Sequence, residues 1–156
     1  MTETKSKTYA TQKFYTTKLA LQVQVSSNGI FFDVASALPD TDRFNWDAKS
    51  SVKFSISEIC NMLSALEAFR NKGIESYTEL AQNLFGIKYK NMQFIHINRK
   101  ENQVRTGLNV YNNNLSFIIV NQKEEVNINF PILASEKIRF EKFLNFVISM
   151  SFQKNL

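Results

Sequence analysis

The sequence predicts an α+β fold of two four-stranded antiparallel sheets, each followed by a helix, so that a ββββα unit is used twice. Short segments alternate apolar and polar residues with a period of two, the mark of half-buried strands. Each half of the chain then closes on a stretch whose apolar residues recur at helical spacing. Only 4 Gly and 2 Pro interrupt 156 residues, which favours long regular elements over a loop-rich scaffold.

Residues 1–13 are polar and carry Lys5, Lys7 and Lys13, and they read as a flexible basic arm. Leu19, Leu21, Val23 and Val25 then alternate with Lys18, Ala20, Gln22 and Gln24, giving the first strand. Ser27-Asn28-Gly29 reads as a hairpin turn, because Asn and Gly tolerate positive φ. A second strand covers residues 30–38 and stops at Pro39-Asp40. A short aromatic stretch at 43–47 forms the third. In the fourth, Val52, Phe54 and Ile56 alternate with Lys53 and Ser55.

The period changes at Ile59, Met62, Leu63, Leu66 and Phe69, one stripe of an amphipathic helix. Ser55-x-x-Glu58 supplies a capping box for its start, with Ser57 as the alternative cap, and Lys72-Gly73 ends it. Residues 74–88 read as a second short helix or a structured loop. In the second half the strands fall at 91–98, 105–111, 115–121 and 126–132, with turns at 100–102, 112–114 and 123–125. A final helix begins after Ala134 or Ser135 and places Ile138, Phe143, Leu144, Val147 and Met150 on one side. VKFSISEICNMLSALEAF and VNINFPILASEKIRFEKFLNFV are comparable strand-to-helix passages, the sign of a duplicated unit. One domain spans 14–152, with a tail at 153–156.

Composition narrows the function classes. The chain is 44% hydrophobic and 21% charged, enough for an ordinary core. Its net charge of +5 suits a polyanionic partner. The single Cys60 excludes an internal disulfide and a cysteine zinc cluster, and fits a reducing compartment. No apolar run approaches the roughly 20 residues that span a bilayer. An intracellular protein is expected, cytoplasmic and of bacterial or viral coding, with an organelle as the alternative, and with no membrane partner.

Catalysis finds no foothold. The one histidine, His96, lies inside a strand, and Cys60 sits beside a buried stripe where cysteine acts as a small hydrophobe. No metalloprotease, nucleophile-elbow, phosphate-loop or dinucleotide motif is present. Asp40, Asp42 and Asp47 lack the spacing of a calcium loop and read as a solvated turn. A non-enzymatic protein without metal or cofactor is expected.

The outward strand faces offer a different chemistry. They carry Lys18, Gln22, Gln24, Phe31, Lys53 and Ser55 in the first half, and Phe94, His96, Arg105, Asn109 and Tyr111 in the second. Cations neutralise phosphates and aromatic planes stack unpaired bases, at about 1–3 kcal/mol per base and with little sequence preference. Amides can bond base edges. No helix is basic along one face as a major-groove reader would be. The alternative is a protein–protein scaffold, favoured if Phe140, Phe143 and Phe146 of the last helix form an exposed apolar patch.

The stretch GIFFDVASALPDTDRFNWDAKSSVKFSISEICNMLSAL at 29–66 resembles the central block of the Whirly family. There a strand leads to an Arg-x-Tyr-Asp-Trp segment, a Lys, then Phe-Ser-Leu-Ser and a helix. Arg43, Phe44-Asn45-Trp46, Lys49 and Phe54-Ser55-Ile56-Ser57 stand at those places here. The passage from Leu115 to Met150 is similar to the family's last two strands and final helix, and the likeness covers about 14–152. The architecture is also similar to that of trypanosome mitochondrial guide-RNA-binding proteins. The family's Lys-Gly-Lys-Ala-Ala-Leu signature is absent, Thr17-Lys18-Leu19-Ala20-Leu21 being its nearest counterpart. The resemblance implies single-stranded DNA, ahead of RNA, lying across the sheets, and a homo-oligomer, usually a tetramer. Phe140, Phe143 and Phe146 would serve that oligomer, in a protein of DNA protection, replication, recombination or repair. Trp46, in a loop between two strands, reads as a packing anchor.

Overall fold

A computed structural model describes residues 6–72, 96–99, 103–111 and 114–156. The chain is α+β. β1 (Thr8–Tyr15), β2 (Leu19–Ser26), β3 (Gly29–Ser36) and β4 (Ser50–Phe54) form one antiparallel meander. It runs into helix α1 (Ile56–Lys72). β5 (His96–Arg99), β6 (Val104–Tyr111), β7 (Asn114–Asn121) and β8 (Val126–Ile132) form a second meander, followed by helix α2 (Ala134–Ser151). The expected strands at 91–95, the helix or loop at 74–88, and the turn centres at 100–102 and 112–113 lie outside the described residues.

Two readings of the first half are corrected. Residues 8–13, expected within a flexible arm, belong to strand β1, paired to β2 with Phe14 opposite Leu21 and Gln12 opposite Val23. Its inward residues are Ala10, Gln12 and Phe14, too weakly apolar to raise a clear alternation. The stretch at 43–47 is not a full strand. Phe44 makes one isolated bridge to Ala37, and Trp46–Ala48 turn as a 3-10 helix.

The inner faces of the sheets follow from period two. Leu21, Val23 and Val25 on β2 align through the register with Val34, Phe32 and Ile30 on β3, and the last two meet Val52 and Phe54 on β4. All of these are buried. In the second sheet Leu108, Phe117 and Phe130 form the matching inward row. One core holds both sheets and both helices. Phe32 is its hub, with ring centroids 4.9 Å from Phe54, 5.0 Å from Phe117 and 6.3 Å from Phe140. Edge-to-face and tilted geometries of this kind add to the gain from burial.

The helices are fixed at their ends and along one face. At the start of α1 the Ser55 hydroxyl accepts the Glu58 N–H at 3.1 Å, while the Glu58 carboxylate accepts the Ser55 N–H at 2.8 Å. This is the reciprocal capping box expected at Ser55. α2 lies against edge strand β1. The Arg139 guanidinium stacks 4.4 Å from the Phe14 ring centroid, donates to the Lys13 carbonyl at 3.0 Å, and pairs with Glu136. Pro131, which cannot donate to a ladder, sits on edge strand β8.

Because Phe32 joins three elements, truncation leaves a cavity that no single neighbour can fill. Phe32→Ala is expected to cost about 3–5 kcal/mol, read from urea unfolding. A loss below about 1 kcal/mol would show that the sheets do not share this contact.

Candidate nucleic-acid interface

The outer face of the first sheet is a grid set by strand register. One row across β1–β4 reads Thr11, Gln24, Phe31, Lys53, and the next reads Lys13, Gln22, Asp33, Ser51. Gln22, Gln24, Phe31 and Lys53 were expected on this side and stand there together. Phe31 is half-buried beneath the Lys53 ammonium, whose nitrogen lies 6.0 Å from the ring centroid. The ring is thus partly accessible with a cation held over it, a pairing of plane and charge that suits a base and its phosphate.

Asp33 is the exception in this row, an acid that is 1% exposed. Its carboxylate accepts the Ser51 hydroxyl and the Gln22 amide (3.3 Å), and pairs with Lys49 at 3.5 Å. A buried charge is tolerable only with such partners. Lys13 and Lys53 flank this neutralised centre, so the surface facing a ligand keeps its positive sign.

Lys13 was missed as an interface residue because its segment read as an arm. In β1 its nitrogen lies 5.2 Å from the Trp46 ring centroid. Trp46, on the 3-10 turn, is half-buried beneath Lys13 and still partly open to solvent, so packing leaves part of its ring at the surface. With Tyr15, Thr16, Asp42, Arg43 and Phe44 it lines an open groove at the end of the sheet. The rings of Tyr15 and Phe44 lie 5.6 Å apart there, and Tyr15 is 54% exposed. The signal for this groove was the aromatic run at 44–46 beside Arg43, but only the bridge of Phe44 to Ala37 turns it toward Tyr15.

Other expected site residues are placed differently. Lys18 lies in the β1–β2 turn, exposed at the margin of the face. Ser55 caps the start of α1, its hydroxyl accepting the Glu58 N–H, and it stands exposed at the end of β4. In the second sheet Arg105 is exposed and pairs in register with Asn98, while half-buried Asn109 pairs with Ser116. His96 pairs with Gly107 and Tyr111 with Asn114, and Phe94 lies outside the described residues. Phe140 is 1% exposed against Phe14 and Phe32, so it belongs to the core of a single chain and not to an oligomer surface. Phe143 is half-buried and Phe146 exposed, with Ile138 a further exposed apolar residue on α2. Among the described residues no three of His, Cys, Asp and Glu gather as a ligand set, and no helix is long and apolar enough to cross a membrane.

Gly29 links the fold to this surface. Its φ is +130°, and a β-carbon there would sit 2.6 Å from Lys53 Cε. Ser27 and Asn28 keep ordinary φ values, so the positive angle expected of the turn rests on Gly29 alone. Gly29→Ala is expected to lower stability by about 1–3 kcal/mol in thermal or urea unfolding and to push Lys53 off the Phe31 ring. An unchanged midpoint would contradict this. No protein-family model matches the sequence, and no curated protein matches it significantly.

Proposed function

We propose that this chain is a non-enzymatic protein that binds single-stranded nucleic acid across the outer face of its first sheet, with a Whirly-like fold. The observation that carries the reading is the register-set grid of Lys13, Gln22, Gln24, Phe31 and Lys53, continued by the Trp46 groove. Its chemistry is cations for phosphates, amides for base edges and ring planes for unpaired bases. A duplex hides its base planes and cannot use Phe31 or Trp46. Arg105 and Asn109 offer similar chemistry on the outer side of the second sheet. Support for the Whirly-like architecture comes from two four-stranded meanders, each running toward a helix, together with the Arg43-to-Ser57 motif.

The homo-oligomer, a tetramer in this reading, is built through α2. Ile138 is 66% and Phe146 50% exposed on that helix, an apolar surface a second copy would cover. The same surface is what a protein–protein scaffold would use, and nucleic-acid titration separates the two readings.

Fluorescence anisotropy with a mixed-sequence single-stranded oligonucleotide should give tighter binding than the matching duplex. With Lys13, Lys18 and Lys53 on phosphates, the log affinity should fall with log salt at a slope of about −2. Lys13→Glu with Lys53→Glu should flatten that slope and weaken binding at least about tenfold at low salt. Equal affinity for duplex, or no salt dependence, would refute the reading.

A further inference from the structure

The outer face carries a hydrogen-bonded relay that crosses all four strands. The Ser51 hydroxyl on β4 donates to one oxygen of Asp33 on β3. The other oxygen accepts from the Gln22 amide nitrogen on β2 at 3.3 Å. That same nitrogen donates to Gln24 Oε1 at 3.2 Å, and Gln24 Nε2 donates to the Thr8 hydroxyl of β1 at 3.0 Å. A primary amide has two hydrogens on nitrogen, and Gln22 spends both.

The direction of this relay is forced. The Asp33 carboxylate, paired with Lys49 and already accepting from Ser51, has no hydrogen to give. Gln22 must therefore turn its nitrogen toward Asp33, and it cannot flip its amide without setting oxygen against oxygen. Among the described residues nothing donates to Gln22 Oε1, so the carbonyl is the end of this amide left for a ligand.

We infer that Asp33 is a positioning residue that fixes Gln22 as a hydrogen-bond acceptor, so that the face takes a hydrogen bond from an amino or ring N–H on the edge of an unpaired base. This rests on the reading of the face as a single-strand site. It adds a directed contact to the base edge that charge and stacking lack, one that each natural base can make and a base stripped of its N–H donor cannot. Within this relay Gln22 presents the acceptor. Asp33 acts through it and never touches the ligand.

The test compares oligodeoxycytidine with an oligonucleotide of equal length built on 2-pyrimidinone, which differs from cytosine by loss of the 4-amino group. The natural chain should bind the cytosine strand about three- to tenfold more tightly, the worth of one neutral hydrogen bond. In Asp33→Asn the new amide can donate to Gln22, and with Gln24 turning in concert against the Thr8 hydroxyl, Gln22 can present its nitrogen outward, so the ratio should fall to near one. Gln22→Ala should abolish the ratio as well, and it decides the matter if Asp33→Asn does not fold. Equal affinities in the natural chain, or a ratio that survives Asp33→Asn or Gln22→Ala, would overturn the inference while leaving single-strand binding intact. Failure to bind either strand would overturn the functional reading and this inference together.

Discussion

Everything on the outside of this molecule is positioned by a cluster of phenylalanines on the inside. Phe32 meets Phe54 on the neighbouring strand, Phe117 on the other sheet and Phe140 on the last helix. Strand side chains alternate, so committing Phe32 to the core sends Phe31 and Asp33 to the outer face without further choice. The pairing register then aligns Gln24 and Lys53 with Phe31, and Gln22 and Ser51 with Asp33. A slip of one residue would bury the cations and expose the rings of the core. The packing of four aromatic side chains is thus also the alignment of the candidate binding grid.

The outer face solves a second constraint, the burial of Asp33. An acid at the centre of a surface meant to attract phosphates would oppose it, unless the charge is withdrawn. Lys49, Ser51 and Gln22 enclose the carboxylate, and what remains toward solvent is cationic and ring-bearing. The cost of desolvating the pair is met by hydrogen bonds to each oxygen. The same enclosure orders the amides of Gln22 and Gln24, so that one network serves both stability and the presentation of polar groups.

Much of this was legible in the sequence, and the failures have physical causes. The alternation from Leu19 to Val25 placed β2 and its outward Gln22 and Gln24, and Ser55-x-x-Glu58 placed the start of α1. β1 was not legible. It is an edge strand whose inner side is Ala10, Gln12 and Phe14, and its order comes from β2 and from the clamp of Arg139 on Lys13 and Phe14, a contact 126 residues away in sequence. Losing β1 also lost Lys13. Phe140 could not be separated from Phe143 and Phe146 by helical spacing alone, because all three lie near one side of α2 and only the position of Phe14 and Phe32 decides which is buried. Trp46 read as an anchor because tryptophan is usually well buried, and it is half-buried on its 3-10 turn, with the groove beside it set by Phe44 and Tyr15 from elsewhere in the chain.

Mapping the bound surface residue by residue tests the central claim most directly. Isotope-labelled protein titrated with a mixed-sequence single-stranded oligonucleotide should show amide and side-chain NMR shifts concentrated on Lys13, Gln22, Gln24, Phe31, Trp46, Ser51 and Lys53. Shifts confined to α2 around Ile138 and Phe146, with the outer face of β1–β4 unmoved, would contradict it.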